Sequence, residues 1–203
     1  MMALRHALAL RKTPAEVAGR PYPDIAADAA AIVEFWRESG PGLWFAKDPA
    51  FDERFRDGFL NLHETAAHGD LTDWGDTPYG ALALMLLLDQ FPRNAFRGTP
   101  CMYTTDPLAR QVATAAVDWG YDLAVEAALR VFFYLPFAHS EDMVDQNRSV
   151  RLTWHLGPPH SVRAQHHREI IQRFGRFPHR NAILGRPTTG EEQSFLDAGG
   201  FAG

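Results

Sequence analysis

The chain has 203 residues, of which 46% are hydrophobic and 12% aromatic; this is ordinary globular usage and excludes a disordered chain. Its formal charge of −5 speaks against general nucleic-acid binding, and its one cysteine, Cys101, excludes a disulfide within the chain and suits a reducing compartment. The longest apolar run, Ala81 to Leu88, is well short of the roughly 20 residues a helix needs to cross a bilayer, so neither nucleic acid nor membrane is expected as a partner.

These bounds predict a cytoplasmic protein with a flexible arm over residues 1–22 and a single domain over residues 23–203. Helix punctuation recurs along the chain, and no stretch has the convincing period-two alternation of a strand. Asp24 is placed to cap a first helix whose apolar positions Ile25, Ala29, Ile32, Val33 and Trp36 recur at helical spacing and which ends near Gly40 and Pro41. Asp48 and Pro49 open a second, with Phe51, Phe55, Phe59 and Leu62 on one stripe. Thr77 and Pro78 open a third, with leucine on all sides. This is the expected central helix, and Pro92 should end it near Gln90.

Asp106 and Pro107 open a fourth helix that Gly120 is placed to terminate. The apolar stretch from Glu126 to Leu135 is a further helix, halted or kinked at Pro136. Ser140 is the expected cap of a helix that runs to Gly157, and Ser161 of one that runs to Gly175. Thr189 and Glu192 have the spacing of a capping box. The sum is an all-α domain of about eight helices in antiparallel pairs.

Three polar phrases stand at the ends of these apolar helices. LLDQFPRNAFR places Asp89 one turn past Met85 on a leucine surface, where a carboxylate is costly unless Arg93 or Arg97 pairs with it. Asn94 is read there as a left-handed cap, and the cluster serves either a structural ion pair or a ligand. YLPFAHSEDMVDQNR carries His139 and Glu141 beside Ser140, turns Gln146 inward with Met143 and Val150, and sets Glu141 and Asp145 toward Arg148. His139 with Glu141 or Asp142 is either plain helix capping, an acid/base pair or a set of metal ligands.

The third phrase, HHREIIQRFGRFPHRNAILGR, half-buries at least one of His166 and His167. It then crowds Arg176, His179, Arg180 and Arg186 with Asn181 into a tight loop suited to bidentate recognition of carboxylate or phosphate. Its FPHRNA repeats, with one insertion, the FPRNA that starts at Phe91. From His160 to Arg186 six arginines accompany one acid, so this segment carries +5 and the remainder −10. A local basic surface of that kind suits a compact anion better than a long polyanion. The standard phosphate-loop, dinucleotide, zinc-protease and serine-nucleophile patterns are absent.

LLLDQFPRNAFRGT, FFYLPFAHSEDMVDQNRSV and HREIIQRFGRFPHRNAILGRPTTGEEQSFL, preceded by VEFWRESGPGLWFAKDPAFDERF, resemble the bacterial family catalogued as domain of unknown function 924. The likeness runs from about Asp24 to Leu196. It implies a tetratricopeptide-like helical fold and supplies neither an activity nor a cofactor. Its signature stretches fall on Asp89, Gln90, Arg93, Asn94 and Arg97, on His139, Ser140, Glu141 and Gln146, and on Arg173, Arg176, His179, Arg180, Asn181 and Arg186.

The favoured expectation is a pocket for a small anion, phosphate or a carboxylate metabolite, with catalysis left open. It draws on Asp89, Arg93, Asn94, Arg97, His139, Glu141, Gln146, Arg176, His179, Arg180, Asn181 and Arg186. A helical scaffold binding a protein partner through a groove at Trp36, Trp44 or Trp74 is the alternative. A metal-dependent hydrolase using His139, Glu141, His167 and His179 is the third. The spatial expectation is that the two FP-R-N loops lie together with His139 beside them.

Overall fold

A computed structural model describes residues 25–201, which are all-α with no strand among them. The arm over residues 1–22 and the cap expected at Asp24 lie outside the described residues. Helix α1 (Ala27–Ser39) buries Ala29, Ile32, Val33 and Trp36, the stripe its spacing predicts, and a short α2 (Pro41–Trp44) follows. Helix α3 (Pro49–His68) is capped by Asp48, whose side chain accepts the Phe51 N–H at 2.8 Å. Trp36, Phe51 and Phe55 bring their rings together between α1 and α3, with Trp36 and Phe55 centroids 5.3 Å apart. Burying each such ring stabilises the fold by roughly 2–3 kcal/mol.

Helix α4 (Pro78–Met85) starts at Thr77, whose hydroxyl accepts the Gly80 N–H, and is buried along its whole length. Gly80 is required there because a Cβ would stand 2.1 Å from the Trp74 carbonyl oxygen. The helix does not stop near Gln90. It continues through a π-turn (Leu86–Gln90) into α5 (Phe91–Ala95), with Phe91 and Asn94 inside helix. The wide turn hands the Phe91 N–H to Leu86 O, and Pro92 has no N–H to offer Leu88.

The carbonyls of this turn are served by side chains instead. His63 Nδ1 lies 2.9 Å from Leu87 O, and Thr105 donates to Leu88 O at 2.6 Å. Arg93 donates to Asp89 O at 2.8 Å and Asn94 to Gln90 O at 2.8 Å. Buried backbone acceptors are thus paired from three directions, which is how a proline survives in the central helix.

Helix α6 (Asp106–Asp118) has Thr105 at its cap position, and α7 (Val131–Ala138) contains Pro136 in its last turn. Helix α8 (Met143–Thr153) is capped by Asp142 rather than Ser140, because the Asp142 carboxylate accepts the Val144 N–H at 2.6 Å. Helix α9 (His160–Phe174) begins one residue before Ser161, without a side-chain cap, and stops at Gly175 with φ 69°. Helix α10 (Gly190–Asp197) has the capping box expected of Thr189 and Glu192.

Two apolar centres result. The larger one is built on α4 and α7 with rings from α1 and α3; the smaller one gathers Ile170, Ile171 and Phe177 with Met143, Phe174, Phe195 and Phe201. Among the described residues no helix is long and apolar enough to cross a membrane.

Candidate functional site

Asp106 ties the two repeated phrases together. Arg93, on α5, meets it with two hydrogen bonds, Nη1 to Oδ1 at 2.8 Å and Nη2 to Oδ2 at 3.1 Å. Arg180, in the 3₁₀ turn Pro178–Arg180 after α9, places Nη1 3.9 Å from Asp106 Oδ2. The sequence assigns Asp106 to capping α6; its carboxylate makes no cap bond and serves the two arginines instead. Tyr103 stands between them, its ring centroid 4.6 Å from the Arg180 guanidinium carbon and 5.9 Å from that of Arg93. The Phe177 ring centroid lies 4.5 Å from the Arg180 guanidinium carbon, so Arg180 contacts two aromatic rings.

His139 closes α7 and joins this cluster. Its Nδ1 lies 2.7 Å from Asp89 Oδ1, and its backbone oxygen accepts from Arg180 Nη2 at 2.9 Å. Asp89 is 1% exposed; Arg93 Nη1 stands 3.1 Å from Oδ1 and Gln90 Nε2 donates to Oδ2 at 2.5 Å. Burial pushes this carboxyl upward, but Arg93 and His139 overcome it and hold the group below the usual carboxylate range. Burial and Arg93 lower the His139 pKa against the pull of Asp89. His167 is driven down to about 3 by burial and His139, and His179 to about 4 by burial and Arg180.

Arg93, Tyr103, His139, His167, Phe177, His179 and Arg180 line a cavity of about 400 Å³. Its wall includes Arg93, Asn94, Arg97, His139, His179 and Arg180 from the expected set. It also includes Trp44, expected instead in a partner groove, and groups that the sequence did not single out: Lys47 before α3, Arg163 and His160 on α9, and the aromatic rings of Phe45, Tyr103 and Tyr134. Among the described residues, the five charged ones on the wall, Lys47, Arg93, Arg97, Arg163 and Arg180, are all cationic, and no Asp or Glu lines it. The balancing acids stand behind the wall: Asp89 and Asp106 are buried, and Asp52 takes Arg97 through two bonds of 2.9 Å.

The remaining expected residues brace the site rather than line it. Glu141 turns to Arg186, not Arg148, accepting Nη1 at 2.7 Å and Nη2 at 3.0 Å together with the Phe177 N–H at 2.8 Å. Burial raises the Glu141 carboxyl, and these donors lower it by more. Asp145 and Arg148 likewise face other partners, Arg110 and Asp118. Arg176 binds Glu192 through bonds of 2.6 Å and 2.8 Å, and Asn181 Nδ2 reaches the same carboxylate at 3.3 Å. Gln146 is fully buried, as its spacing predicts, donating to Ala138 O at 2.9 Å and Ser140 O at 2.6 Å.

Glu141 is therefore committed, and among the described residues no three His, Cys, Asp or Glu converge as a metal site. Trp36 and Trp44, candidates for an exposed groove, are buried.

Fold and cavity together define an all-helical protein whose interior pocket has a basic, aromatic wall. Residues 32–200 match the family described as "Bacterial protein of unknown function (DUF924)", and the chain belongs to that family. It is similar to a solved structure titled "Structure of Protein of Unknown Function ATU0120 from Agrobacterium tumefaciens". The two are 54% identical with a TM-score of 0.84, over 86% of this chain and 99% of that one. No curated protein matches.

Proposed function

We propose that the cavity binds a small organic anion, a carboxylate or phosphate metabolite with an apolar body. The observation that carries this reading is the wall itself: among the described residues, five cations, no acid and several aromatic rings around one space. A volume of about 400 Å³ falls within the range of organic-ligand sites and exceeds what a lone inorganic anion fills. Arg180 is the anchor, because contacts with the Tyr103 and Phe177 rings and a bond to His139 O position its guanidinium before any ligand arrives. Preorganised guanidinium groups hold carboxylate or phosphate without the entropy cost of ordering a free side chain. Burial of Trp36 and Trp44 weighs against a scaffold that presents them in a groove, and the engagement of Glu141 by Arg186 weighs against the metal hydrolase.

Titration calorimetry with phenylacetate and phenyl phosphate, against neutral phenylacetamide, tests the reading. Both anions should bind and the amide should not, with Arg180→Gln weakening the anions by about tenfold or more. Absence of heat from both anions, or equal affinity for the amide, would refute it.

A further inference from the structure

His139 has its two ring nitrogens in different surroundings. Nδ1 faces Asp89 Oδ1 at 2.7 Å, and an ionised carboxylate only accepts, so the ring proton resides on Nδ1. Asp89 cannot turn away, because Gln90 holds Oδ2 at 2.5 Å and Arg93 stands 3.1 Å from Oδ1. Nε2 is therefore left with a lone pair. Among the described residues it bonds to no protein group, and the side chain is 16% exposed on the cavity wall.

A hydrogen-bond acceptor is thus fixed in a wall whose charged groups only donate. It also lies close to the anion anchor. Arg180 Nη2 bonds the backbone oxygen of His139 at 2.9 Å, and both residues line the cavity. A ligand that engages both carries an anionic group and a hydroxyl donor.

Resting on the reading that the cavity binds organic anions, we propose that its ligand is a hydroxy acid. The carboxylate lies on Arg180, and a hydroxyl on the adjacent carbon donates to His139 Nε2. The apolar remainder lies against the aromatic wall. Asp89 acts as a positioning residue that keeps Nε2 an acceptor. The neutral imidazole that this requires agrees with the downward pull of burial and Arg93 on His139.

The test compares mandelate with phenylacetate, two probes that differ by that one hydroxyl, by titration calorimetry on the full chain. Mandelate, as one of its enantiomers, should bind about tenfold tighter than phenylacetate. Equal or tighter binding of phenylacetate overturns the hydroxy-acid proposal and leaves anion binding standing; binding of neither overturns the hydroxy-acid proposal, and phenyl phosphate then decides whether anion binding stands. Asp89→Asn supplies the second arm, since the new amide can donate to Nδ1 and move the ring proton to Nε2. The preference should then vanish, and its survival in a folded variant would overturn the positioning role. The wild-type comparison decides the proposal even where that variant does not fold.

Discussion

Thr105 bonds Leu88 O because Pro92 has no N–H for that carbonyl, so a single hydroxyl replaces a helical hydrogen bond inside the core. Thr105→Val keeps the shape and leaves the acceptor unpaired, which should cost about 1–3 kcal/mol in urea unfolding. Thr104→Val, at an exposed hydroxyl bonded to Cys101 O, should stay within about 0.5 kcal/mol of wild type. A Thr105→Val protein as stable as wild type would contradict this account of the π-turn. At this scale the sequence is legible where spacing fixes direction, as for Gln146. It is opaque where a side chain has a local and a distant option, as for Asp106. Nothing in the sequence near Asp106 reveals that Arg93 and Arg180 will outcompete its own helix N-terminus.

Helix starts were readable wherever the cap is local: Asp48, Thr77 and Thr189 each bind an N–H three residues on. Ser140 misleads because its hydroxyl accepts, at 3.2 Å, the N–H of Asp142, the residue two positions on that caps α8. The end of the central helix was misread because the groups that rescue Pro92 come from α3 and from the cap of α6, far away in sequence. The docking of α9 and the following loop against α7 has its own pH signature. The folded pKa values of His167 and His179, about 3 and about 4, lie below the ordinary 6.5. The unfolded chain therefore binds more protons below pH 6.5, so stability is full above that value and falls as pH drops through it. Each histidine contributes a slope of up to about 1.4 kcal/mol per pH unit. The urea midpoint should fall from about pH 7.5 to about pH 5, and His167→Gln should flatten the fall. A midpoint unchanged across that window would refute the assignment.

Across the whole molecule, the meeting of the two FP-R-N loops beside His139 was legible because all three phrases sit at ends of apolar helices. The other side of the cavity was not. Trp44 ends the short α2, Phe45 and Lys47 lie in the connection after it, and His160 and Arg163 come from the start of α9; only tertiary packing faces them toward the loops. Their contribution changes the expected ligand from a bare anion to one with an apolar body. The direct measurement is a crystal structure of the protein with phenyl phosphate at saturating concentration. Phosphate within hydrogen-bonding reach of Arg180 and the ring against the aromatic wall is the predicted result; an empty cavity, or phosphate bound only away from Arg180, would contradict it.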